Sequence, residues 1–72
     1  MKTILVFKTS ITKKREVKFL QPILNRLIAK NDYWNFDLED CDNILRIETQ
    51  VVKAKTILKT LSNHGFYCEE LN

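Results

Sequence analysis

Residues 2–28 read KTILVFKTSITKKREVKFLQPILNRLI: a short apolar strand, a polar turn, then a long amphipathic helix. Ile4 and Val6 lie on one face of the strand and Leu5 and Phe7 on the other, and β-branched residues favour the extended chain. Apolar residues on both faces predict a central strand, or one whose second face meets a partner. Thr12 is the expected helix N-cap, with Ser10 competing. Val17, Leu20, Leu24, Leu27 and Ile28 follow at helical spacing and define a buried stripe, with Phe19 and Ile23 four apart on its flank. Pro22 removes the bond to the Lys18 carbonyl, at about 3 kcal/mol in a helix interior. The stripe keeps its phase across Pro22, so one kinked helix is expected.

The remaining chain repeats the pattern. Asn31-Asp32 ends the helix, and Trp34, Phe36 and Leu38 alternate with Tyr33, Asn35 and Asp37 as a strand. Glu39 to Asn43 form a polar turn. Leu45 and Ile47 then carry the next strand, with Ile44, Arg46 and Glu48 on its other face. Thr49 is the expected cap of a second helix bearing Val51, Ala54, Ile57, Leu58 and Leu61. Gly65, the only glycine, stands where the left-handed residue after a helix belongs. Phe66 to Glu69 make the last strand. The order β-α-β-β-α-β, two halves with right-handed crossovers, predicts an α+β, ferredoxin-like sandwich: a four-stranded antiparallel sheet in the order 4-1-3-2 with both helices on one face. In that topology Ser10 and Lys13, Cys41 and its acidic neighbours, and His64 all gather at one pole.

Composition bounds the reading further. Seventy-two residues, 44% hydrophobic and 29% charged, predict one soluble globular domain over 1–72. Ile4-Leu5-Val6-Phe7 is the longest apolar run, far short of the ~20 residues that span a bilayer. Met1-Lys2-Thr3 leads straight into the strand, so no leader is expected and the cytoplasm is the predicted compartment. Cys41 and Cys68 are then reduced thiols. Charge is segregated: residues 1–30 hold eight basic side chains against Glu16 alone, whereas residues 31–50 hold six acids against Arg46. A dipole of that kind acts on docking more than the net charge of +3 does.

With these elements in place, the chain resembles the heavy-metal-associated domain, the fold of copper metallochaperones and of the N-terminal modules of metal-pumping ATPases. The resemblance rests on the strand order, on Val17 after the first loop, and on His64-Gly65-Phe66-Tyr67 before the last strand. The family's ligand loop is Met-x-Cys-x-x-Cys. Aligned on Val17, this chain places Lys8 at the methionine and Ser10 and Lys13 at the two cysteines. Two thiolates at that spacing hold soft Cu(I) or Zn(II), whereas a hydroxyl is a poor ligand and an ammonium repels a cation. The usual metal transfer is not expected, and no cofactor is implied.

Other residues admit two readings each. His64 and Cys41, with Glu39, Asp40 and Asp42, could form a relocated Zn(II) site; alternatively His64 serves the helix C-terminus beside Gly65. Asp37 to Asp42 lack calcium-loop spacing and its glycine. Cys68 reads as a small apolar filler, and a single histidine with no orienting acid supplies no nucleophilic triad. The chain is therefore expected not to be an enzyme. Lys13-Lys14-Arg15 oppose the dipole at a helix start and suggest docking to an acidic partner or phosphate. The sheet face away from the helices is expected to show Leu5, Phe7, Ile44 and Tyr67, with Tyr33, an apolar patch for self-association or a protein partner. Ile44-Leu45-Arg46-Ile47-Glu48 offers no aromatic to stack a base, which disfavours nucleic acid. The predicted function is that of a non-enzymatic domain acting through protein contact, with the nonstandard metal site as the alternative.

Overall fold

The computed structural model describes residues 2–39 and 41–71. Its elements are β1 (Thr3–Thr9), α1 (Lys14–Leu27), β2 (Tyr33–Asp37), β3 (Ile44–Thr49), α2 (Ala54–Asn63) and β4 (Cys68–Leu71). The strands form one antiparallel sheet in the order β2-β3-β1-β4, the ferredoxin-like arrangement. Phe7, Leu45 and Ile47 from the central strands meet Leu20 and Leu24 of α1 and Ile57 and Leu61 of α2, all fully buried, so both helices cover the same face. α1 runs unbroken through Pro22.

The facing of β1 is the reverse of the expectation. Leu5 and Phe7 do not belong to the open sheet face: Phe7 is 0% exposed in the core, and Leu5 packs against that core. The register explains it, because Phe7 pairs with Leu45 and Leu5 with Ile47, and paired residues point the same way. Ile4 and Val6 instead share the open face with Lys8. Of the four residues expected there, Ile44 and Tyr67 remain. Ile44 is buried, only 7% exposed, though outside the main core cluster, while Tyr67 is exposed.

Helix starts also move. α1 is capped by Lys13 rather than Thr12 or Ser10, and α2 begins after Lys53 rather than at Thr49. Thr49 is the last residue of β3, 1% exposed, and its hydroxyl accepts the amides of Val51 and Val52 at 3.1 and 3.0 Å. It makes the bonds of a cap while closing a turn, which is why the sequence reads as a helix start. α2 ends as expected. Gly65 has φ 85°, with Phe66 N–H donating to the Leu61 carbonyl and Gly65 N–H to that of Ser62, a Schellman motif.

Candidate functional site

The first loop, the β2–β3 hairpin and the link into β4 converge at one pole. Thr9 joins the first two: its hydroxyl donates to the Asn43 carbonyl at 2.7 Å and accepts the Ile11 amide at 3.1 Å. Lys8 Nζ lies 3.7 Å from an Asp42 carboxylate oxygen on the same hairpin. Ser10 joins the third. Its hydroxyl accepts the Tyr67 amide at 2.9 Å, and its own amide donates to the Tyr67 carbonyl at 3.1 Å. Ser10 is thus a structural tie, and Lys13 stands at the N-cap position of α1 with its side chain exposed.

Glu16 compensates the cations at the start of α1. One of its carboxylate oxygens accepts the amides of Thr12 and Lys13 at 3.0 and 3.1 Å. The Thr12 bond first, and then the Lys13 bond and the nearby cations, hold its pKa below the ordinary value. Lys13, Lys14 and Arg15 are exposed, and the ion pairs within 4 Å among the described residues engage none of them.

His64 serves the end of α2. Its ring Nδ1 donates to the Thr60 carbonyl at 2.9 Å, and its ring meets Phe19 edge-on with centroids 5.8 Å apart. Phe19 also leans on Phe66, so this half-exposed aromatic joins α1 to the α2–β4 link. Cys41 is exposed on the hairpin. Among the described residues no group of three or more His, Cys, Asp or Glu side chains is placed to hold a metal ion; Asp40, named in the acidic turn, lies outside them. Cys68 faces the helices with Phe66, and burial pushes its thiol pKa up to about 11. A thiol with so raised a pKa is a weak nucleophile at neutral pH.

The open face is mixed in character. Ile4, Val6, Ile44 and Leu71 form its apolar portion, with Val6 directly opposite Leu71. Lys8 stands opposite Glu69, and Arg46 opposite Asn35. Tyr67 Oη donates to a Glu69 carboxylate oxygen at 2.9 Å, the main reason its pKa is raised.

Sequence reading missed a groove of about 690 Å³ between the start of α1 and the β2 edge. Val17, Trp34, Phe36 and Leu38 give it an apolar floor, and Lys14 and Lys18 line its α1 wall. Trp34 is fixed by its indole N–H donating to Asn25 Oδ1 at 2.7 Å, and it meets Phe36 edge-on. The signal was present: Trp34 and Phe36 lie on the strand that the predicted order puts at the sheet edge. Against known proteins, the chain matches no family model, no curated protein and no solved structure. Among the described residues no helix is long and apolar enough to cross a membrane.

Proposed function

We propose that this chain is a non-enzymatic, cytoplasmic domain of heavy-metal-associated type that lacks the thiolate pair and acts through contact with an acidic protein partner. One observation carries the reading. Lys13, Lys14 and Arg15 stand exposed at the positive end of the α1 dipole, where cations lower stability, and within the first turn the one offsetting acid is Glu16. Charge held at such a cost suits a surface whose stabilisation comes from an anionic partner. The engagement of Ser10 with Tyr67 supports the same reading, since the loop that would carry metal is closed by hydrogen bonds instead.

The test is affinity for polyglutamate, measured for the native chain and for the Lys13→Glu/Lys14→Glu/Arg15→Glu variant. Loss of about tenfold or more in the variant is expected, equivalent to at least 1.4 kcal/mol. Equal affinity in the two proteins would remove this surface as the docking site.

A further inference from the structure

The two edges of the sheet are not alike. β4 carries Glu69 and Glu70, charges of the kind that keep an edge from pairing. β2, Tyr-Trp-Asn-Phe-Asp, has no lysine, proline or bulge, and its one charge is at its last residue. Beside this less guarded edge lies the groove, with its floor of Val17, Trp34 and Phe36. Lys14 and Lys18 sit four apart along the α1 wall, so like charges face each other across one turn, while Asp37 and Glu39 on the β2 side of the groove carry the opposite charge and Arg46 adds a third cation. A carboxylate set between the two lysines would turn that repulsion into attraction.

We infer that an extended acidic segment of a protein partner docks here by adding to β2 as a fifth strand. Main-chain hydrogen bonds along the edge supply the affinity common to strand addition, and alternate side chains supply the selectivity. An apolar side chain lies over Trp34 and Phe36, and a neighbouring carboxylate on the same face of the added strand meets Lys14 and Lys18. The inference rests on the acidic-partner reading and specifies the shape of that partner: extended, with acidic and apolar residues that can pair as a strand.

The probes are two capped peptides, one alternating glutamate and valine, the other with proline in place of each valine. Trp34, the only tryptophan, reports affinity by fluorescence, and hydrogen exchange reports the amides of residues 33–37. The expected result is slowed exchange in β2 with the valine peptide. Affinity is expected to fall about tenfold or more with the proline peptide and likewise in the Lys14→Glu/Lys18→Glu variant. Equal binding of both peptides with β2 exchange unchanged would overturn strand addition and leave acidic docking standing. Binding of neither would overturn both. Concentration-dependent protection of β2 without peptide would show that a second copy occupies the edge, and would overturn the assignment to an acidic segment.

Discussion

Ser10 and Tyr67, 57 residues apart, hold each other through a reciprocal pair of hydrogen bonds: Tyr67 N–H to Ser10 Oγ at 2.9 Å and Ser10 N–H to the Tyr67 carbonyl at 3.1 Å. Only the first depends on the side chain. Replacement Ser10→Ala is therefore expected to cost about 0.5–1.5 kcal/mol, the ordinary net value of one such bond, with the fold retained. Denaturant unfolding measures it; an unchanged midpoint would mean that the hydroxyl contributes nothing to the closure.

The facing of β1 makes a sharper prediction. Phe7→Ala empties a fully buried site between sheet and helices and should cost about 3–5 kcal/mol, enough to unfold most of a marginal domain. Ile4→Ala, on the open face at 58% exposure, should cost well under half of that. Thermal melts of the two variants decide the matter, and a larger loss for Ile4→Ala would reverse the assignment.

That reversal shows what was legible in the sequence and what was not. The 3.6-residue stripe through Leu20 and Leu24, the two-residue alternation of Trp34 and Phe36, and Gly65 after α2 each specify an element by local chemistry, and each stands where expected. β1 is apolar on both faces, so its own alternation does not say which side meets the helices. The answer lay in Lys8, just past the apolar run, which shares a face with Ile4 and Val6, and that face turns to solvent. Thr49 misled for a different reason: a hydroxyl that accepts two successive amides looks the same before a helix and before a turn. The groove depends on how closely α1 approaches an edge strand, a distance no periodicity contains.

Gly65 should resist substitution although space surrounds it. Its φ of 85° lies in the left-handed region, and nothing comes within 4 Å of where a Cβ would stand. Gly65→Ala is expected to cost about 1–2 kcal/mol from backbone strain alone. Calorimetry reads the loss, and a neutral result would show that the α2 terminus relaxes without penalty.

Acid stability should trace to Asp32 together with Glu16, whose pKa values are both lowered. The Asp32 carboxylate accepts the Thr49 hydroxyl at 2.7 Å and the Ala29 amide at 3.0 Å, and also receives Lys2 at 4.0 Å. The Thr49 bond is the main cause of a pKa lowered from 3.8. With the folded value depressed, the contribution of Asp32 is complete above the ordinary aspartate pKa and fades as pH falls through the folded one. Melting temperature should fall on acidification below pH 3.8, and Asp32→Asn should flatten that limb while lowering stability at neutral pH. An acid limb unchanged in the variant would place the titration elsewhere.

Docking through the start of α1 is tested most directly by mapping amide chemical shifts of the labelled native chain during titration with polyglutamate at low ionic strength, where exposed charges act over the longest range. The expected result is saturable shifts concentrated in residues 12–18, reversed by added salt. Shifts that are absent, or that centre on α2 and β4 with residues 12–18 still, would contradict it.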